Sequence, residues 1–366
     1  MISKIFTYKS AALLAALSLT AAVQSNAQET STKSGAVFVM TNSNTSNEIL
    51  QFARNVNGSL VSVGKTPTGG NGTGGTTDPL ASQNSLLLTP DSRFLLAVNA
   101  ASGTISSFAV FGAFLIPIDV VSTGGGFPDA IAQSGNRVYV LNASGNSNVV
   151  GFTMEEGRLI RIPNATGYLT TGLSGGSSLT FSEDGRVLLV SERTTGLIDS
   201  FPVNTDGTLG AATVTSYPGI FDFTTSPTNG LLITVGGPTI SATSVADNAK
   251  LTAVDNIPIF SGACWAVVTP KGFVYGSTGG SSIIDGYSLS KAGALTPIGT
   301  GEAASIPGAT ILDLAISRDG LFLFSLNSGN GTIGAWSINQ STGALTANAG
   351  AALPTSNAGF NGIAAY

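Results

Sequence analysis

Residues 312–338, LDLAISRDGLFLFSLNSGNGTIGAWSI, hold the unit from which the chain is built. An apolar run containing Leu312, Leu314 and Ile316 breaks at Ser317-Arg318-Asp319-Gly320, and resumes as Leu321-Phe322-Leu323-Phe324. It breaks again over 327–331 and returns at Thr332. Asp-Gly and Asn-Gly pairs accept the positive φ of hairpin turns, and the runs between them have the period of two that turns one face to a core. Three strands joined by tight turns follow, with a fourth after the Gly343-Ala344-Leu345 corner.

The unit repeats. The residue opening its first turn recurs as Thr89, Gln133, Ser182, Ser226, Thr269 and Ser317, at intervals of 44, 49, 44, 43 and 48 residues. Four strands in a period of that length make a β-propeller blade. A second register runs through the third strands, at Phe52, Phe108, Phe152, Phe201, Val245, Tyr287 and Trp336. Most are followed by a polar turn and Gly-x-Leu, as at Gly58, Gly157, Gly207, Gly293 and Gly343. Seven such positions predict an all-β, seven-bladed propeller of four antiparallel strands per blade, its aromatic residues packed between blades.

The ends complete the count. Residues 35–40 read as a second strand with no first before it, and residues 362–366 as a first strand with none after it, so the two are expected to pair and close the ring. Lys4 and Lys9, the apolar segment 11–23 and Ser25-Asn26-Ala27 have the pattern of a cleavable signal peptide. The expected organisation is a signal peptide over 1–27 with cleavage near Ala27, a polar leader over 28–34 and one propeller domain over 35–366. The mature protein is then expected to be secreted or periplasmic and monomeric. Residues 66–82, TPTGGNGTGGTTDPLAS, interrupt the rhythm and read either as a flexible linker or as a backbone-lined loop on one face.

With 15 basic and 20 acidic residues the net charge is −5, falling to −7 once Lys4 and Lys9 are removed, which is the wrong sign for a nucleic-acid partner. No segment after 27 reaches membrane-spanning length. The absence of histidine excludes Ser-His-Asp and Cys-His catalysis and His-ligated zinc, and no metal or cofactor is expected. Cys264 is the sole cysteine; beside Trp265 it reads as a small buried hydrophobe.

In a propeller, the loops between second and third strands share a face with the blade-to-blade connections, and that face surrounds the channel mouth. Asn42, Asn99, Asn142 and Asn327 open four of these loops, either as turn residues or as a ligand-facing polar ring. Glu192-Arg193 is the one adjacent acid and base among them, either a general base with an oxyanion or carboxylate partner, or a solvated pair. The connecting loops add Ser82, Gln83, Ser177, Asp222 and Trp265 as candidate lining residues.

Four stretches carry a family resemblance: VFVMTNSNTSNEILQFARNVNGSL from Val37, SSLTFSEDGRVLLVSERTTGLIDSFPVNTDGTLG from Ser177, CWAVVTPKGFVYGSTGGSSIIDGYSLSKAGAL from Cys264, and LAISRDGLFLFSLNSGNGTIGAWSINQSTGAL from Leu314. Through them, residues 35–366 resemble the seven-bladed lactonase propellers, among them propeller-type 6-phosphogluconolactonases and carboxymuconate cyclases. The chain is most similar to a secreted bacterial, lactonase-like branch. The resemblance implies metal-free lactone opening by His, Glu and Arg side chains at the channel mouth. Ser177 stands where such enzymes carry a His, and Phe221-Asp222 where they carry an Arg-His pair. Glu192 and Arg193 lie in a loop of the kind that supplies the family's Glu, one blade earlier. Two functions follow as expectations. One is hydrolysis of a small lactone with Glu192 as base and Arg193 as its partner. The other is a non-catalytic propeller that binds a glycan, peptide or surface partner through the Asn-rich face.

Overall fold

The computed structural model describes residues 34–366. The signal peptide expected over 1–27 lies outside the described residues, as does all but Ser34 of the expected leader. Seven antiparallel sheets form, and no α-helix occurs among the described residues. Counting blades from the N-terminus, the innermost strands of blades 2 to 7 are Leu86–Leu88, Gly126–Ser134, Gly176–Phe181, Asp222–Thr225, Trp265–Val268 and Ile311–Ile316.

Side-chain chemistry at the first turn explains why the repeat signals so clearly. In blade 7 the Ser317 hydroxyl donates to Asp319 Oδ1 at 2.6 Å and accepts the Phe322 amide at 3.0 Å, while Asp319 Oδ1 also accepts the Leu321 amide at 3.1 Å. Thr89 with Asp91 and Ser182 with Asp184 build the same cage, each accepting an amide five residues on. These hydroxyls satisfy backbone donors that the hairpin leaves without ladder partners.

The Gly corners fasten neighbouring blades. Tyr275 of blade 6 donates its hydroxyl to the Gly343 carbonyl of blade 7 at 2.6 Å, and Tyr139 of blade 3 donates to Gly207 of blade 4. Gly343 has a φ of 72°, and a Cβ there would enter the Phe273 ring, so the corner needs glycine on both counts. Phe52, Phe108, Phe152, Phe201, Tyr287 and Trp336 are all buried in clusters that join adjacent blades, as expected, whereas Val245 is half-buried. Full burial of one such aromatic side chain contributes roughly 1.5–3 kcal/mol.

Ring closure is as the sequence predicts. Ile363–Ala365 is the inner strand of blade 1 and pairs antiparallel with Gly35–Met40, matching Val37 to Ala365 and Val39 to Ile363. The Tyr366 amide donates to Ala36 O at 3.0 Å, and buried Arg54 donates through Nε to Tyr366 O at 3.1 Å. Blade 7 departs from four strands. Its outer position is split between Leu345–Ala347 and Ala351–Ala352, both on Thr332–Ile338, which makes a five-stranded sheet.

The Gly/Thr-rich interruption is the backbone-lined loop and not the linker. Its carbonyls and amides bond the second-to-third-strand loop of blade 1, with Gly72 N on Ser43 O at 2.7 Å and Gly74 N on Asn42 O at 2.7 Å. It then crosses to the C-terminal segment, where Asn357 Oδ1 accepts the Thr77 amide at 3.0 Å and Asn361 Nδ2 donates to Asp78 at 2.8 Å.

Candidate functional site at the channel mouth

The end of that loop covers the channel. Gln83, just ahead of blade 2, donates through Nε2 to Ala266 O at 2.9 Å, while its Oε1 accepts the Ala266 amide at 3.1 Å. Its own amide donates to Ser177 O of blade 4 at 3.0 Å. Ser82 donates to Asp129 O of blade 3 at 2.8 Å, and its carbonyl accepts Trp265 Nε1 at 3.1 Å. Blades 2 and 6 stand on nearly opposite sides of the ring, so Ser82-Gln83 is a strap across it. Both residues are buried.

Beneath the strap is a set of carboxyls that the sequence reading found only in part. Counting back four residues from each turn-opening residue gives Ser85, just before the inner strand of blade 2, and Asp129, Ser178, Asp222, Trp265 and Asp313 on those of blades 3 to 7, all buried. Asp129, Asp222 and Asp313 therefore project from alternate blades, 3, 5 and 7. Only Asp222 was singled out from sequence. The repeat register contained the signal for the other two, because an acid on an otherwise apolar inner strand recurs at one offset.

Burial is the first cause that raises each of these acids: Asp313 is pushed up to about 7, and Asp129 and Asp222 well above the ordinary carboxylate range. The negative charges of Asp313 and Asp129 push Asp222 further in the same direction. Asp222 Oδ1 accepts the Phe223 amide at 2.8 Å and Asp313 Oδ1 the Leu314 amide at 2.8 Å. Neither oxygen of Asp129 receives a well-formed hydrogen bond. Asp78, on the covering loop, is also raised by burial and lowered by Asn361 and by the charge of Arg193.

Arg193 is exposed at the mouth, and its charge reaches both Asp78 and Asp129. Its guanidinium lies 5.6 Å from the Phe221 ring centroid, and that ring meets Trp265 edge-on at 5.4 Å. Cation, half-buried Phe221 and buried Trp265 thus form a ladder across blades 4, 5 and 6. Cys264, half-buried and not buried as expected, sits beside it; burial and the charges of Asp222 and Asp78 push its thiol up, the opposite of what a nucleophile needs.

Glu192 is not beside Arg193 in a charge pair. Its carboxylate is buried and accepts from the Thr170 amide at 2.8 Å and from the Thr170 and Thr195 hydroxyls at 2.5 Å each. It pins the blade 3–4 connection to its own loop. Asp199, on the next strand, is pushed up to about 7 by burial and then by the charge of Glu192. Ser177 is buried, bonded to Ser191 Oγ at 3.0 Å and to Phe221 O at 2.5 Å.

The four loop-opening asparagines are buried and serve the loops themselves. Asn42 bonds Thr73, Asn99 bonds Thr104, Ser106 and Thr68, Asn142 bonds Asn148, and Asn327 bonds Thr332 and Ser325. Of the two readings these residues allowed, the turn-chemistry reading describes their geometry.

No family model matches this sequence, and a search of curated proteins finds no match. Solved structures do resemble it. A provisionally named 6-phosphogluconolactonase from Bacteroides uniformis aligns at 18% identity with a TM-score of 0.71, over 91% of this chain and 99% of that one. The periplasmic gluconolactonase PpgL from Pseudomonas aeruginosa aligns at 15% identity with a TM-score of 0.71, over 90% and 99%. A second provisionally named 6-phosphogluconolactonase, from Bacteroides fragilis, aligns at 17% identity with a TM-score of 0.69, over 92% and 98%. At such identities the likeness speaks to architecture, because one fold hosts many sites. The chain is a seven-bladed β-propeller, and among its solved neighbours are 6-phosphogluconolactonase-like proteins.

Proposed function

We propose that this protein is a lactonase-like propeller that binds a small hydroxylated carbonyl compound, a lactone or the hydroxy acid it opens to, at the channel mouth. The observation that carries this reading is the exposed Arg193 guanidinium over the Phe221 ring, which itself meets Trp265 edge-on. A guanidinium offers paired donors to a carboxylate or a lactone carbonyl, and the Phe221 face suits the apolar side of a small ring. Glu192 acts here as a positioning residue, since its lone pairs hold Thr170 and Thr195 and with them the loop that presents Arg193.

Lactone hydrolysis is the second reading, favoured by the unbonded Asp129 carboxyl near Arg193. Water would add to the carbonyl carbon while Arg193 holds the developing oxyanion. As the acyl–oxygen bond breaks, Asp129 would give its proton to the departing ring oxygen and take one from the added water, leaving the hydroxy acid. Because Asp129 is buried under Ser82, this chemistry requires the strap to lift.

Titration calorimetry with aldonates and slowly opening aldonolactones separates the readings. Saturable binding that weakens at least tenfold in Arg193→Ala supports the first, and no binding of any member overturns it. Hydrolysis above buffer that Asp129→Asn abolishes supports the second; rates equal to buffer overturn it. The basic, apolar, small-residue order of residues 1–27 supports export, and mass spectrometry of the exported fraction should find a chain beginning near Gln28.

A further inference from the structure

A second cleft, sharing no lining residue with the channel-mouth site, lies where the first and last strands of the propeller meet. It encloses about 420 Å3 between blades 7 and 1, within the range of small-molecule sites. Its floor is apolar, made by Leu50 and Phe360 with Ala358, and Pro354 lies at its edge. Its polar wall is made by Thr41, Ser43, Thr355 and the Glu48–Lys65 pair, whose atoms stand 2.9 Å apart. Only Glu48 Oε2 is engaged by Lys65, and the Lys65 side chain is 60% exposed with one of its three donors used.

We propose that this seam cleft binds a neutral pyranose sugar. A pyranose ring has apolar C–H faces and an edge of hydroxyls that both donate and accept. The cleft answers with an apolar floor, a carboxylate oxygen free to accept from hydroxyls, an ammonium free to donate to them, and hydroxyls of its own. A flat hydrophobic ligand would leave the second Glu48 oxygen and the two remaining Lys65 donors without partners, and a small inorganic anion would meet Glu48 at close range.

The walls belong to segments far apart in sequence: the loop, third and fourth strands of blade 1, Gly74-Gly75 of the covering loop, and residues 354–360, which lead into the closing strand. A sugar held there bridges the join, so its binding stabilises ring closure by mass action.

The test is calorimetry and thermal unfolding with a panel of methyl hexopyranosides and their β-1,4-linked disaccharides, on wild type, Glu48→Gln, Thr355→Trp and Arg193→Ala. Thr355 is exposed, so its replacement by Trp fills the cleft without entering the core. Saturable binding that raises the unfolding midpoint, weakens at least tenfold in Glu48→Gln and Thr355→Trp, and persists in Arg193→Ala is expected. If no member of the panel binds wild type, or if binding survives Thr355→Trp, or if it is lost in Arg193→Ala alone, the proposal is overturned. The last outcome would assign sugar binding to the channel mouth instead.

Discussion

Asp313→Asn should stabilise the protein at alkaline pH and leave it nearly unchanged in acid. Asp313 is buried on the inner strand of blade 7, where its Oδ1 accepts the Leu314 amide at 2.8 Å. Burial pushes its pKa up to about 7. The folded chain therefore keeps a proton that the unfolded chain releases near pH 4. Stability from this group is complete below the unfolded pKa and is lost as pH rises towards and through 7. At ~1.4 kcal/mol per pH unit, the loss between pH 4 and pH 8 is about 4 kcal/mol at most, less where water reaches the ionised group. Asparagine keeps an acceptor for the Leu314 amide and carries no charge. Urea denaturation of wild type and variant at pH 5 and pH 8 is the assay. The variant should gain ~2 to 4 kcal/mol at pH 8 and no more than about 1.5 kcal/mol at pH 5. Asp199, pushed up to about 7, and Asp285, to about 6, leave the variant with a shallower slope of the same sign. An unchanged slope in the variant, or equal destabilisation at both pH values, would refute the argument.

Removing residues 362–366 should unfold the whole ring, seen as loss of the cooperative thermal transition, because it strips blade 1 of its inner strand and leaves buried Arg54 without Tyr366 O. Gln83→Leu fills the same space but strands the amide and carbonyl of Ala266, so it should cost roughly 1–3 kcal/mol in chemical denaturation. Faster hydrogen exchange at Ala266 should accompany that loss. Ser317→Ala removes one turn cage and should cost about 1 kcal/mol, with Ser182→Ala similar and the two additive because the blades are distant.

The architecture was legible in the chain because each blade repeats a local device. Hydroxyl–Asp turns such as Ser317–Asp319, left-handed corners such as Gly343 and alternating apolar strands are each decided within about ten residues, and their recurrence counts the blades. Closure was legible for the same reason, since residues 35–40 and 362–366 are two incomplete parts of one unit. The site was legible only in fragments. Arg193 and Trp265 carry the proposed site, whereas the asparagines bond within and between their loops and Glu192, a candidate base, is bonded within its own connection. What the loop 66–82 does depends on Asn357, Asn361 and Ala266, contacts hundreds of residues away that no local pattern encodes. The protonation of Asp129, Asp222 and Asp313 depends on a desolvated channel that exists only once seven inner strands converge and Ser82-Gln83 covers them. Sequence by itself determined the repeating hydrogen-bonded unit and its number, because those are short-range; the closed ring alone decided which polar groups lose their water, because that is a property of the assembled interior.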